Sequence, residues 1–168
     1  MSYALVFPGQ GSQYVGMGKD LAQWSTDAGE AFREADDAAG FDLSGLCFEG
    51  PEEGLRLTRN TQPAILAASI AAFRALASQV DLAPSHVAGH SLGEYSALVA
   101  GGSIPFADAV RVVRERGRAM QEAVPAGEGG MAALLGMERE QITDICAAVS
   151  TGGVVVSAAN YNAPGQIV

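Results

Sequence analysis

Residues 3–7 form a compact apolar run closed by Pro8-Gly9, the pattern of a buried strand. Residues 9–13, Gly-Gln-Gly-Ser-Gln, make a glycine-rich loop. Between 18 and 39 the spacing is helical in pieces. Between 41 and 58 the chain is punctuated by Gly45, Gly50, Pro51 and Gly54, which predicts short helices and turns. A strong helix is predicted from Thr61, with Pro63 near its first turn. Its apolar face runs through Ile65, Leu66, Ser69, Ile70, Phe73, Leu76 and Ala77. After a loop over 81–85, residues 87–89 read as a short approach strand. A helix-like run over 92–100 is stopped by Gly101-Gly102. Pro105 then opens a helix whose buried stripe is Phe106, Val110, Val113, Gly117, Met120 and Val124. Arg111 and Arg116 fall outside that stripe.

The rhythm changes after residue 124. Residues 125–130 hold three glycines and read as a hinge or linker. Residues 131–135 are strand-like, 138–149 form an amphipathic helix, and 154–158 are strand-like again. That is one β-α-β unit, of the kind that begins a ferredoxin-like subdomain. The chain reaches Val168 inside what looks like a further strand. The pattern therefore predicts an α/β body over 1–124 with a mostly parallel sheet, and an incomplete α+β unit over 125–168.

Candidate chemistry concentrates in Gly89-His90-Ser91-Leu92-Gly93. A short apolar approach before it and a helical run after it mark a nucleophile elbow, a tight strand-to-helix turn that presents a serine hydroxyl. Side chains in place of Gly89 and Gly93 would block the turn and the close helix approach. The bend also frees the Leu92 N–H to hold a developing oxyanion. The bland alternative is a small-residue turn with a capping serine.

Serine needs a base, usually an imidazole within hydrogen-bond reach. The chain has two histidines, His86 and His90, and none follows Ser91. His90 is an immediate neighbour whose side chain diverges from that of Ser91, and it reads as a brace for the elbow. His86 lies about 15 Å back along the approach strand at ordinary strand rise, and reads as a surface residue. The base therefore comes from later in a longer polypeptide or from another chain, or the protein is a non-catalytic relic.

Composition narrows the classes. Net charge is −9 and pI about 4.5, which argues against general nucleic-acid binding. The densest basic stretch, residues 111–118, has the bland reading of a solvated helix face. Cys47 and Cys146 show no metal-type spacing, and a reduced, cytoplasmic protein fits them. The N-terminus has no basic region of a signal peptide. The longest apolar run, 64–73, is too short to span a bilayer. No zinc, calcium or haem pattern is present.

The chain resembles the N-terminal part of the malonyl-CoA:acyl carrier protein transacylase family. The resemblance is carried by the run from Phe7 to Gln13, by Thr61-Gln62-Pro63-Ala64, by Gly89 to Ala97, by Arg116-Gly117 before Met120-Gln121, and by Asn160 to Gln166. It implies an α/β-hydrolase-like acyltransferase body with the start of a small ferredoxin-like subdomain. It implies Ser91 as the acyl-carrying nucleophile, with backbone N–H groups of Gln10 and Leu92 holding the oxyanion. Arg116 would pair with the free malonyl carboxylate. Gln62 and Asn160 would line the pocket or the thioester-arm channel. On the residues alone, Gln10 reads as a turn residue and Arg116 as a surface helix charge.

The reaction so implied moves malonyl from coenzyme A to the phosphopantetheine thiol of acyl carrier protein, in fatty acid biosynthesis, without a metal or redox cofactor. The coenzyme A thioester and the phosphopantetheine arm are substrates. An acidic carrier meeting an acidic enzyme needs a local basic patch, to which residues 111–118 could contribute. The family's catalytic histidine belongs to its later part. A serine esterase or thioesterase shares the elbow and is the rival enzyme. An acyltransferase module of a polyketide-type assembly line is another, and it would require flanking domains. A catalytically incomplete fragment that binds acyl carrier protein is the non-enzymatic alternative.

Overall fold

One helix organises the larger part of the molecule because residues 61–67 are buried on every side. A helix apolar all round belongs in a core. In the computed structural model, which describes residues 2–125 and 127–168, it spans Thr58–Ala77 and is the fifth of eight helices among the described residues. Before it come β1 (Ala4–Phe7), α1 (Lys19–Trp24), α2 (Thr26–Ala39), α3 (Leu43–Glu49) and α4 (Glu52–Arg56). Thr58–Ala77 is α5. After it come β2 (His86–Gly89), α6 (Gly93–Ala100) and α7 (Phe106–Ala123). The chain divides into two compact units, Met1–Ala126 and Gly127–Val168. Ala126, in the expected linker, and Met1 lie outside the described residues.

In the first unit α5 packs against α2 and α7, with Ala64, Ala67, Ala71 and Ala75 allowing close approach. Leu43, Leu55, Leu66, Ile70, Val110 and Val113 fill the space between, each fully buried. Removing one such side chain costs about 2–5 kcal/mol, because the cavity only partly collapses. Ser25 ends α1 and starts α2, its hydroxyl accepting from the Ala28 N–H. Asp42 does the same for α3 through the Gly45 N–H. These caps satisfy donors that a helix start leaves orphaned.

The expected helix start at Thr61 lies one turn late. Thr61 does not cap; its hydroxyl donates to the carbonyls of Leu55 (2.5 Å) and Leu57 (3.1 Å). The helix begins at Thr58, and Pro63 lies inside it. The expected apolar faces also shift at their ends: Leu76, Met120 and Val124 are exposed, and Ala75 is buried instead.

β1 and β2 pair in parallel, with Ala4 opposite His86 and Phe7 opposite Gly89. Five helices connect them, as a parallel pair requires a long crossover. The expectation of a buried first strand holds only for Phe7. Val6 is 76% exposed, because β1 has one strand neighbour among the described residues. The register aligns the C-terminal ends of both strands, so the loops after Phe7 and Gly89 emerge side by side. Such edges are where α/β sheets place their sites.

The second unit holds β3 (Leu134–Leu135), α8 (Arg139–Val149), β4 (Tyr161–Ala163) and β5 (Gln166–Ile167). Strand order is β3-β5-β4, all antiparallel. Glu138 and Gln141 form a reciprocal cap at the start of α8. The expected strand over 154–158 is not formed. The Ser150 hydroxyl takes both backbone groups of Val156, accepting from its N–H (2.9 Å) and donating to its carbonyl (3.0 Å). The extended pairing falls later, on the two arms of the Pro164-Gly165 turn.

Candidate active site

Ser91 has φ 53°, the single positive φ at a non-glycine residue among those described. This backbone region is strained for an L-residue, and strain of this kind collects at functional sites. The turn is held by three backbone bonds: His90 N–H to Phe7 (3.3 Å), Gly93 N–H to His90 (2.9 Å) and Glu94 N–H to Ser91 (3.3 Å). It closes only because two positions lack a side chain. A Cβ on Gly89 would overlap the Gly93 carbonyl, and one on Gly93 would lie 2.8 Å from the Pro8 oxygen. The elbow predicted from the sequence is therefore present, with Ser91 exposed at its tip and Leu92 fully buried beneath it.

The loop after β1 lies beside this turn. Its shape is set internally, by Ser12 Oγ donating to the Gly9 carbonyl (2.9 Å) and by the Gly11 N–H donating to Gln13 Oε1 (2.8 Å). Gln10 is exposed, and its side-chain amide donates to Thr58 Oγ1 at 3.3 Å. The backbone N–H groups of Gln10 and Leu92 have no acceptor among the described residues. Two free amides on adjoining loops are what a developing oxyanion requires.

Arg116 comes to the same place from α7. It is half-buried, unlike the surface charge its sequence position suggests. Its Nη2 donates to Ser91 Oγ (3.2 Å) and its Nη1 donates to Gln62 Oε1 (2.6 Å). The guanidinium carbon lies 5.9 Å from the centre of the Tyr95 ring. Gln62 itself is fully buried, and its Nε2 faces Met120 Sδ at 3.2 Å. α7 approaches α5 closely at Gly117, where a Cβ would lie 2.7 Å from the Thr58 oxygen and 2.8 Å from the Arg59 Cα.

The structure thus brings Gln10, Gln62, Ser91, Leu92 and Arg116 into one region of the first unit. Asn160 belongs to the second unit, half-buried just before β4, where its backbone pairs with Val168. Thr58 and Tyr95 also belong to the site region and were not singled out in sequence. Each sits four residues from a residue that was, Gln62 and Ser91, on the same helical face or the same turn. The Ser91 hydroxyl receives a hydrogen bond from the Arg116 guanidinium. His86 is exposed at the far end of β2, its Nδ1 3.1 Å from Ser85 Oγ.

A family match over nearly the whole chain decides what the geometry suggests. The profile of the acyl transferase domain matches residues 4–168. The chain belongs to the acyl transferase domain family. This acyl transferase domain is 52% identical to the malonyl CoA-acyl carrier protein transacylase of Bacillus subtilis over 98% of the chain and 52% of that relative. It superposes on a malonyl-transacylase solved in complex with its type II PKS acyl-carrier protein, with a TM-score of 0.91, 50% identity, and coverage of 99% and 54% of the two chains. It also matches the acyl-carrier-protein S-malonyltransferase of Burkholderia pseudomallei at a TM-score of 0.89 and 51% identity, with coverage of 99% and 54%. The chain spans about half the length of the relatives it matches.

The basic stretch of this acyl transferase domain is locally neutralised. Arg111 pairs with Asp108 (2.7 Å), and Arg118 pairs with Glu115 and Glu122. Arg118 holds the Glu115 carboxyl below its ordinary range through a direct hydrogen bond. Arg114 donates to the Ala39 carbonyl and lies over the Phe41 ring. These arginines border a groove of about 970 Å³ that none of the elbow residues lines. Acids and arginines alternate along it, so it offers no net positive field. Among the described residues, no group of acids, histidines and cysteines is arranged to hold a metal, and no helix is long and apolar enough to cross a membrane.

Proposed function

We propose that the polypeptide carrying this domain transfers a malonyl group from coenzyme A to the phosphopantetheine thiol of acyl carrier protein, through a malonyl-serine ester on Ser91, in fatty acid biosynthesis. The observation that carries the reading is the exposed, positive-φ Ser91 with the Arg116 guanidinium at 3.2 Å. Ser91 Oγ attacks the thioester carbonyl, and the Gln10 and Leu92 amides take the negative charge that forms on its oxygen. The carbon–sulfur bond breaks and coenzyme A leaves. The carrier's thiol then attacks the ester and releases Ser91. Splitting the transfer lets two bulky carriers use one small site in turn.

Arg116 supplies the recognition of malonyl over acetyl. A guanidinium meets a carboxylate through two parallel hydrogen bonds, and an acetyl group would leave it unpaired. It does not take the serine proton, because a guanidinium stays protonated in proteins. The serine proton needs a base, and an imidazole is the usual one for a serine nucleophile. Both steps are acyl transfers without change of oxidation state, so the reading calls for no metal or redox cofactor. A cytoplasmic setting fits a reaction between coenzyme A and acyl carrier protein. The sequence names of the relatives and the acyl-carrier complex of one of them support malonyl-CoA and acyl carrier protein as partners.

The test is intact-mass analysis after incubation with malonyl-CoA. The enzyme gains one malonyl unit, and Ser91→Ala gains none. An alanine variant labelled as well as its parent overturns the assignment. A second reading, carrier binding without turnover, is favoured by the guanidinium that donates to the Ser91 hydroxyl, since a guanidinium cannot serve as its base. Carrier binding with no malonyl label on the isolated chain is the outcome that supports it.

A further inference from the structure

We propose that Thr58 and Gln62, one turn apart on α5, are positioning residues that hold the two halves of the site: Thr58 the Gln10 loop, and Gln62 the Arg116 guanidinium. The inference rests on the malonyl-transfer reading and assigns Gln62 a role other than contact with the substrate.

The case for Gln62 is one of accounting. A primary amide accepts only at its oxygen and donates only at its nitrogen, so its partners fix which way it points. Gln62 is fully buried, and both ends are engaged on α7: the oxygen by Arg116 Nη1 at 2.6 Å, the nitrogen against Met120 Sδ at 3.2 Å. Full burial leaves the remaining N–H and lone pair of the amide turned away from solvent, so its engaged groups face α7. The orientation is also mutual. Turning the amide over would set its N–H groups against the guanidinium, donor against donor, so Arg116 fixes Gln62 and Gln62 fixes Arg116. Both bonds come from the charged guanidinium, and the one to Gln62 is the shorter. With Nη1 anchored, the opposite edge of the guanidinium faces Ser91. A long arginine side chain that is ordered before the acyl group arrives avoids paying for that ordering at binding.

Thr58 does the corresponding work for the loop. It is half-buried at the first turn of α5, and its Oγ1 accepts from the Gln10 side chain at 3.3 Å. Its own N–H donates to Gln121 Oε1 on α7 at 3.2 Å. The Gly117 contact presses α7 onto the Thr58 carbonyl at the same level. Residues 58 and 62 lie on one helical face, so a single rigid element sets the distance between the oxyanion loop and the carboxylate-binding charge.

The two residues predict separable signatures in the enzyme carrying this chain. Gln62→Met keeps the volume and removes the anchor. It lowers the malonyl-to-acetyl preference about tenfold, through the malonyl donor's KM. In an Arg116→Ala background the same substitution changes the preference no further, because Gln62 acts through Arg116. Thr58→Val lowers kcat severalfold for both donors and leaves their ratio alone, and Thr58→Ser restores it. A readout free of turnover accompanies these: in the isolated chain, nitrogen-15 NMR of the arginine side chains shows slow rotation of the Arg116 guanidinium, and fast rotation in Gln62→Met. An unchanged preference and unchanged rotation in Gln62→Met overturn the role of Gln62. An unchanged kcat in Thr58→Val overturns that of Thr58. If the unsubstituted enzyme forms no malonyl-serine while the Arg116 rotation still slows through Gln62, the transfer reading fails and the anchoring of Arg116 stands.

Discussion

Arg116 reaches Ser91 across 25 positions of sequence, its Nη2 donating to the serine oxygen at 3.2 Å. A positive charge beside the hydroxyl favours negative charge on its oxygen, and the same charge is available to a carboxylate on the acyl group. On the malonyl-transfer reading, this contact joins nucleophile and selectivity. Arg116→Ala is expected to lose one charge-assisted interaction of about 1.5–3 kcal/mol. Preference for malonyl over acetyl donors should fall roughly 10- to 150-fold at 1.4 kcal/mol per factor of ten. Competition between the two donors, read by mass of the acyl-serine, measures it, and an unaltered ratio removes Arg116 from carboxylate recognition.

Gly89→Ala and Gly93→Ala test the elbow itself. Either methyl group would overlap backbone that cannot move without opening the turn. Each variant should lose more than about 3 kcal/mol of stability, beyond the ordinary range for overpacking. Thermal unfolding of the chain provides the measurement. A midpoint within a degree of the parent would mean that the turn is looser than described.

Gly117→Ala places a methyl group against the Thr58 carbonyl and the Arg59 Cα. The helices must separate, at a cost of about 1–3 kcal/mol. Because Arg116 is the adjacent residue, malonyl preference should drop while Ser91 remains open to acylation. Stability and donor preference should move together in this variant, unlike in Gln62→Met.

Ser96 offers the opposite sign. Its hydroxyl is fully buried and has no hydrogen-bond partner among the described residues. An unsatisfied buried hydroxyl carries its desolvation cost without return. Ser96→Ala should leave the unfolding midpoint unchanged or raise it, with Ser91 labelling intact. A fall of several degrees would reveal a bond that the geometry does not contain.

Cys47 is buried, and its thiol is pushed up to about 12, first by burial and then by the nearby Asp36 and Asp42 carboxylates. The folded state holds this proton more tightly than the unfolded chain, whose thiol titrates near 9.0. The stabilisation is fully present below that value and is lost as pH rises towards 12. Unfolding midpoints should therefore decline between pH 9 and 11, less so in Cys47→Ala. Alkylation at pH 8 should modify the half-buried Cys146 first and Cys47 only after denaturation.

The elbow was legible because a glycine-bounded serine between an apolar approach and a helical run has few other uses, and the bend has the φ such a turn demands. The alternating helices of the first unit were legible from their periodicity. What escaped were contacts between elements. Arg116 lies beside an apolar stripe, and only the packing of α7 on α5 at Gly117 turns it inward. Thr58 falls in a segment broken by glycines and proline, so the extra helical turn before Thr61 left no periodic trace. Residues 154–158 carry the valines of a strand, yet strand formation needs a partner, and Ser150 takes the backbone groups of Val156 instead. Leu76, Met120 and Val124 continue a periodic face past the point where neighbours cover it.

The pairing of Phe7 with Gly89 spans five intervening helices. Contacts of such sequence separation are slow to close, since the intervening loop entropy must be lost first. The bend and its companion amides are therefore a late product of folding. On the ribosome, a nascent chain that has not yet extruded residue 89 has no bend, and one short of residue 116 has no guanidinium. Both strand ends and α7 must therefore be in place before Ser91 and Arg116 can meet.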